Sequence, residues 1–355
     1  MPRFPATLER PIDASPATDP LLSAIDLHTH FAVKRAWFDR TGAVNRAVDG
    51  VSFDIHPGRT LGLVGESGCG KTTLGRTILR LTPAHSGRAV FDGVDVLAAS
   101  GPSLRRLRRK IQVIFQDPFG SLNPRMRVGA IVAEPLVVHG IGTKRDRCIK
   151  VEALLDRVGL RAADARRYPH EFSGGQRQRI AVARALAPEP KLIICDEPVS
   201  ALDVSVQAQI INLLRDLQEA LGVSYLFIAH NLAVVRHISH RVAVMYLGRI
   251  VETADVDELY RHPRHPYTMA LLESVLEPDP SHDATPRVLD GEPPSPVDPP
   301  SGCAFHPRCP HATDQCRAVA PTLQPISTRP ADHLAACHHA ETLEWDGGSP
   351  TSVTP

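Results

Sequence analysis

No run of apolar residues in this 355-residue sequence approaches the length that crosses a lipid bilayer, about 18 residues, and its first residues lack the apolar core of a signal peptide. Aromatic residues make up only 5% of the chain, and the formal net charge is only +1. A charge this close to zero gives no electrostatic reason to expect nucleic acid as the main ligand. We therefore expect a globular protein that is made and kept in the cytosol.

Cysteine is scarce over most of the chain, and four of the seven cysteines fall after residue 300. The reducing cytosol disfavours disulfides between them. Their segment is proline-rich with little apolar content, which suggests that a bound group supplies its order. An iron–sulfur cluster needs four thiolates, whereas zinc sites usually have C-x₂-C pairs, which are absent here. Iron–sulfur, zinc and unligated thiols remain open for Cys303, Cys309, Cys316 and Cys337.

The sequence is organised around a glycine-rich stretch, residues 65–72, which follows an apolar run and precedes a helical pattern. Its form, G-x-x-x-x-G-K-S/T between a strand and a helix, predicts a phosphate-binding loop. Glycines let backbone N–H groups surround an anion, and the helix N-terminus adds partial positive charge. Lys71 is expected to reach the β- and γ-phosphates, and Thr72 to bind Mg²⁺. The predicted nucleotide-binding residues are Gly65, Glu66, Ser67, Gly68, Cys69, Gly70, Lys71, Thr72 and Thr73.

Two acidic residues, Asp196 and Glu197, end an apolar run suited to a buried parallel strand. Ligands of open α/β sheets bind at this end of the strands. Asp196 suits a contact with Mg²⁺, and Glu197 suits polarising an attacking water. His230 ends the next apolar strand, 224–229, where it can donate a hydrogen bond to a γ-phosphate.

A second glycine-rich motif, Ser173, Gly174, Gly175 and Gln176, precedes another helical pattern. It predicts a second anion-binding helix N-terminus. One chain with one triphosphate loop rarely needs two such sites. We therefore expect this motif to serve the nucleotide of a partner subunit.

Two further side chains are candidates at the nucleotide. Phe31 suits either stacking on an adenine ring or a place in the core, and Trp37 and Phe38 compete for the stacking role. Cys69 lies beside a helix N-terminus, which favours its thiolate and therefore predicts reactivity toward maleimides.

With these motifs placed, residues 22 to about 255 resemble the ATP-binding subunits of ABC transporters, and Gln116 and Asp203 fall at two further positions of the family pattern. The dipeptide and oligopeptide importers are the most similar branch. That similarity rests on the stretch 113–124, on the stretch 265–268 and on the cysteine tail from Gly302. Two departures, Phe172 in the signature and Asn231 after His230, remove no catalytic group.

The resemblance implies an α/β fold, an ABC-type P-loop NTPase cassette with a RecA-like core, an antiparallel β subdomain, a helical subdomain and a small Cys-rich C-terminal extension. It implies catalytic roles for Glu197, His230 and Gln116, with Thr72, Gln116 and Asp196 as Mg²⁺ residues, and a 4Fe–4S cluster on the tail cysteines. The expected divisions are a loose leader at 1–21, the cassette at 22–262 with its helical part near 117–170, an extension and proline-rich linker at 263–301, the Cys-rich segment at 302–340, and a disordered tail at 341–355.

The resemblance also implies partners: a second ATPase subunit, identical or paralogous, two membrane permease subunits and an extracytoplasmic substrate-binding protein, with no nucleic acid. The expected activity is ATP hydrolysis that powers import of peptides or related solutes, at the cytoplasmic face of the membrane. The alternative is a soluble ABC-type ATPase of DNA repair or translation. Repair members insert long coiled coils after the phosphate loop, and translation factors usually carry two cassettes, neither of which this sequence shows.

Overall fold

The computed structural model of the chain describes residues 19–33, 43–117, 120–274 and 291–345. Within these ranges there are twelve strands and ten α-helices. The strands are β1 (Leu22–Ala32), β2 (Val44–Ile55), β3 (Thr60–Val64), β4 (Ser86–Phe91), β5 (Val94–Asp95), β6 (Ile111–Ile114), β7 (Leu192–Asp196), β8 (Ser224–Ile228), β9 (Arg241–Tyr246), β10 (Arg249–Asp255), β11 (Gln324–Pro325) and β12 (Leu334–Ala335). The helices are α1 (Lys71–Ile78), α2 (Gly101–Lys110), α3 (Val128–Val138), α4 (Lys144–Arg157), α5 (Gly174–Leu186), α6 (Val204–Leu221), α7 (Leu232–Ile238), α8 (Val256–Arg261), α9 (Pro266–Glu273) and α10 (Asp314–Ala318).

The central sheet has eight strands in the order β11-β12-β10-β9-β3-β8-β7-β6. From β9 to β6 the neighbours run parallel. Every residue of β3, β7 and β8 is buried, because helices cover both faces of this part of the sheet, and such strands have continuous apolar sequences. The carboxyl ends of β3, β7 and β8 lie at one edge, which brings together the phosphate loop, the acidic pair and His230.

A separate antiparallel sheet, in the order β2-β1-β4-β5, packs beside the phosphate-loop helix α1. Strands β4 and β5 form a hairpin with Asp92 and Gly93 at its turn, with φ angles of 52° and 77°. An Asp-Gly pair with positive φ at both positions is the preferred two-residue turn of such hairpins. This sheet supplies the antiparallel β subdomain.

The segment expected to be helical, 117–170, contains α3 and α4 within its described part, together with 3₁₀ stretches at Ala162–Arg166 and Pro169–Glu171. Helix α4 begins after Thr143, which forms a capping box with Asp146. The reciprocal hydrogen bonds of a capping box satisfy donors that a helix start leaves free. Apolar residues of α3, α4 and α5 pack into the same core as one face of the central sheet.

The Cys-rich segment, 302–340, is packed into the rest of the described fold. Strand β12 extends the central sheet by pairing with β10, opposite Glu252 and Thr253. Phe305, with 1% of its surface exposed, packs against Tyr246 and Tyr267 in the main core. The segment therefore shares a sheet and a core with residues that lie 38 to 83 positions earlier in the chain.

Candidate active site

The phosphate loop turns sharply between β3 and α1, and two glycines make the turn possible. Gly65 has φ 153° and Gly70 has φ 110°. A Cβ at Gly65 would lie 2.2 Å from the carbonyl oxygen of Met245, and one at Gly70 would lie 2.0 Å from that of Ala47. Both distances are far shorter than any real carbon–oxygen contact, so these positions exclude every other residue.

Lys71 is buried within this loop, with 4% of its surface exposed. Its ammonium donates to the carbonyl oxygens of Gly65 at 2.7 Å and Glu66 at 2.9 Å. The positive charge is therefore held inside the curve of the loop, where a phosphate would lie.

The expected magnesium residues Thr72 and Asp196 are in contact. The Thr72 hydroxyl donates to Oδ1 of Asp196 at 2.8 Å, joining α1 to the end of β7. Burial raises the pKa of Asp196, against the opposing effects of the Thr72 hydrogen bond and the Arg76 charge. Oxygen atoms of a hydroxyl and a carboxylate are the donors that Mg²⁺ prefers, so this pair fits the ion.

Glu197 stands next to this pair with two polar neighbours. Gln116 donates to Oε2 of Glu197 at 2.9 Å, and Nδ1 of His230 lies 3.5 Å from the same oxygen. Glu197 has a φ of 47°, a left-handed conformation that is rare outside glycine and that often marks functional positions. The three side chains line an open cleft of about 460 Å³, which also includes Ser67 of the phosphate loop.

The second glycine-rich motif does not line this cleft among the described residues. Ser173 is exposed at the start of α5 and forms a capping box with Gln176. A Cβ at Gly175 would lie 2.5 Å from Cγ1 of Val206, so the absence of a side chain lets α5 pack closely on α6. Asp203 lies at the N-cap position of α6, makes no side-chain hydrogen bond to the helix and is exposed as well.

Cys69 corrects one expectation. Only 6% of its surface is exposed, and burial raises the pKa of its thiol although the Lys71 ammonium opposes this. The prediction of a thiolate at Cys69 was wrong, because burial by the surrounding residues outweighs the effect of the helix N-terminus on the pKa of the thiol. Phe31 lies near the end of β1 with 41% of its surface exposed, outside the core. Trp37 and Phe38 fall outside the described residues.

Sequence reasoning missed two contacts that fix the phosphate loop from the C-terminal part of the chain. Arg308 forms two hydrogen bonds with the carboxylate of Glu66, at 2.7 and 2.9 Å. The hydroxyl of Tyr267, on α9, accepts a hydrogen bond from the backbone N–H of Glu66 at 2.8 Å. No local pattern signals contacts between residues more than 200 positions apart.

The four tail cysteines line one pocket, together with His265, Pro266, Phe305, His306, His338 and His339. Burial raises the pKa of Cys303, that of Cys309 to about 11 and that of Cys337 to about 12. Negative charge on one of these three thiols would raise the pKa of the other two further, so the three cannot ionise together without a nearby cation.

An open parallel sheet with this loop at one strand end and an antiparallel sheet beside it is the fold of an ATP-binding cassette. The dimeric cassette MJ0796 bound to ADP and phosphate superposes with a TM-score of 0.59 at 26% identity, over 66% of this chain and 98% of that one. The family model for "ABC transporter" matches residues 48–200, and the one for "Oligopeptide/dipeptide transporter, C-terminal region" matches residues 251–316.

Two curated relatives extend the match. The "Probable peptide ABC transporter ATP-binding protein y4tS" of Sinorhizobium fredii is 52% identical over 90% of both chains. The oligopeptide transport ATP-binding protein AppF of Bacillus subtilis is 51% identical, over 90% of this chain and 97% of that one. The chain belongs to the ATP-binding subunits of peptide-importing ABC transporters, which are ATPases coupled to transport. The alternative of a soluble repair or translation ATPase is not favoured.

Among the residues that the structure describes, no helix has the length and apolar character of a membrane span. The subunit is a component of a membrane transporter whose family implies permease and substrate-binding partners.

Proposed function

We propose that Glu197 orients and polarises the water that attacks the γ-phosphate of ATP. The observation that carries this role is the convergence of Gln116 and His230 on one carboxylate oxygen of Glu197, next to the Thr72–Asp196 pair. A carboxylate with one fixed oxygen leaves the other free to accept a proton from water. His230, with 55% of its side chain exposed to the cleft, is placed to donate to the γ-phosphate.

Thr72, Asp196 and Gln116, which is hydrogen-bonded to Glu197, would hold the Mg²⁺ of Mg-ATP. The ion, when bound, neutralises charge on the β- and γ-phosphates. The chain itself contributes the positive charge of Lys71, whose buried ammonium faces the inside of the loop. Backbone N–H groups of the loop and of the first turn of α1 would complete the anion-binding surface, except those of Glu66 and Cys69, which donate to Tyr267 and Glu66.

We also propose that the exposed motif from Ser173 to Gln176 binds the ATP of a second ATPase subunit. Support comes from its position outside the cleft that holds Glu197 and from its exposed helix N-terminus. Val204, beside Asp203, is 82% exposed and is therefore accessible to a partner subunit. ATP would stabilise the dimer by contacting both subunits, and hydrolysis would remove that contact.

The complete transporter would contain two permease subunits and an extracytoplasmic binding protein, with this subunit at the cytoplasmic face. Apolar residues exposed on the helical segment, Val137, Val138 and Ile149, suit contact with a permease. The test is a strain lacking the gene for this subunit. It should lose uptake of labelled peptides and regain it with the wild-type gene, while the subunit should leave the membrane fraction when its permeases are deleted. Unchanged peptide uptake in the deletion strain would contradict the proposal.

For the tail we propose that Cys303, Cys309, Cys316 and Cys337 hold a 4Fe–4S cluster with a structural role. Support comes from the pocket they share and from thiols that need a nearby cation to ionise. Among the described residues no three of these sulfur atoms lie within 4.8 Å of one another.

The cluster would order the tail, and no transport step needs its electrons. Protein purified without oxygen should contain about four irons per chain and absorb broadly in the visible range. Iron-free protein with one zinc per chain bound by sulfur ligands, counted by X-ray absorption, would assign the cysteine site to zinc. A folded tail whose cysteines hold no metal would contradict both assignments.

A further inference from the structure

Three side chains of the antiparallel sheet converge at a place that ATP hydrolysis does not use. His28 and His30 lie on one face of β1, two residues apart, and Asp49 lies opposite His28 on β2. One imidazole nitrogen from each histidine and one carboxylate oxygen of Asp49 all lie within 4.8 Å of one another. Among the described residues this is the group whose ligand atoms are spaced for a single metal ion.

Asp49 is held so that one oxygen faces the two imidazoles. Its Oδ2 accepts from Nη2 of Arg249 at 2.7 Å and from Nε at 3.1 Å. Its Oδ1 lies 3.1 Å from Nδ1 of His28 and 3.5 Å from Nε2 of His30. Burial raises the pKa of Asp49, but the hydrogen bonds and charges of Arg249 and His28 lower it overall.

A carboxylate oxygen lies within hydrogen-bonding distance of each ring nitrogen of His28. Asp26, which has a positive φ of 48° in an irregular part of β1, places its Oδ1 3.1 Å from Nε2 of His28. A carboxylate that accepts the N–H of one imidazole nitrogen leaves the other nitrogen as a lone pair, which is the usual support of a metal-binding histidine. At 3.1 Å from Oδ1 of Asp49, the other nitrogen of His28 either carries a proton that it donates to that oxygen or shares a metal ion with it.

His30 supplies a second, independent observation. Its Nε2 is buried and makes no hydrogen bond among the described residues, although it points toward Asp49. The ring is fixed by stacking on His85, with centroids 4.8 Å apart and planes 23° from parallel. A buried ring nitrogen without a hydrogen-bond partner is costly unless something else binds it.

We propose that His28, His30 and Asp49 form a binding site for a divalent first-row transition metal ion of the zinc class. Two imidazole nitrogens and one carboxylate oxygen suit such ions and are too nitrogen-rich for Mg²⁺ or Ca²⁺. Water completes the coordination, because about a fifth of each histidine side chain is exposed. The ion joins β1 to β2, and Asp26 and Arg249 orient its ligands.

The test uses the full-length chain, treated with a chelator and titrated with Co²⁺, whose visible spectrum reports its ligands. Wild-type protein is expected to bind one Co²⁺ that lacks the sulfur-to-metal charge-transfer band of a thiolate site, which separates it from the cysteine pocket. X-ray absorption at the cobalt edge is expected to count two imidazoles on that ion. Both H28Q and H30Q should fail to bind this Co²⁺ ion. The control H237Q, which removes an exposed histidine of α7, should bind it like the wild type.

The same titration decides against the proposal in two ways. If wild-type protein binds no Co²⁺ free of sulfur ligands, protonated imidazoles, and not a metal ion, supply the positive charge between these groups. A site that persists in both H28Q and H30Q would place the ion elsewhere. Circular dichroism and ATP binding monitor folding of the variants, and the imidazole count on wild-type protein decides the matter even if a variant fails to fold.

Discussion

The guanidinium of Arg308, in the Cys-rich segment, binds the carboxylate of Glu66, inside the phosphate loop, through two hydrogen bonds of 2.7 and 2.9 Å. Arg308 is 5% exposed, and hydrogen bonding to Glu66 is the main reason that its pKa is raised. Since Cys309 is the next residue, the pocket of the tail and the nucleotide site are joined through one ion pair. The C-terminal region is therefore part of the structure that shapes the phosphate loop.

Replacing Arg308 by Met should loosen the loop. Hydrogen bonds to charged groups contribute about 1.5–3 kcal/mol, so we expect a loss of that order in unfolding free energy, together with weaker ATP binding. Urea denaturation and ATP titration measure the two effects. The matched control is Arg317→Met, because Arg317 is 62% exposed and its partner Asp314 is fully exposed, 3.8 Å away. Equal effects of the two substitutions would contradict a specific role for the Glu66 pair.

Cys69 should react slowly with maleimide in the folded protein. Burial raises the pKa of its thiol and shields its sulfur, and a thiolate is the reactive form. Cys148, exposed on α4, provides an internal reference in the same sample. Mass spectrometry after timed labelling should find Cys148 modified well before Cys69. Equal rates at the two cysteines would mean that the loop opens far more than the described packing allows.

Substituting Gly175 by Ala should destabilise the contact between α5 and α6. The added Cβ would lie 2.5 Å from Cγ1 of Val206, and overpacking of this kind costs about 1–3 kcal/mol. Thermal unfolding of G175A measures the cost. The double variant G175A/V206A lacks the obstructing methyl groups of Val206. Its loss of stability should therefore be smaller than the sum of the losses of the two single variants. Simple additivity would show that the clash is not the cause.

The sequence predicts the parts of the site that depend on short stretches of chain. The phosphate loop, the acidic pair Asp196–Glu197 and the helical start at Ser173 each combine a turn signal with an adjacent apolar run, and each lies on the expected element. Their meeting at one edge follows from parallel strands, which place all carboxyl ends together.

What the sequence does not predict depends on distant residues. The buried pair of Glu252 and His333, 2.8 Å apart, attaches the tail to β10 across 81 positions. Nothing in the order of residues near His333 specifies that register. The failure at Cys69 has the same origin, since burial by the surrounding fold decides the state of its thiol. His28, His30 and Asp49 are likewise brought together only by the pairing of β1 with β2.

Steady-state ATP hydrolysis by Glu197→Gln tests the central claim most directly. The amide keeps the shape of the side chain but cannot accept a proton from water, so turnover should fall by about 10²- to 10⁴-fold, the usual contribution of a general base. ATP binding should be retained, because Lys71, Thr72 and Asp196 are unchanged. The control is Glu219→Gln, an exposed residue of α6, which should hydrolyse ATP like the wild type. Near-normal turnover by the Glu197 variant, with ATP bound normally, would contradict the assignment of this site.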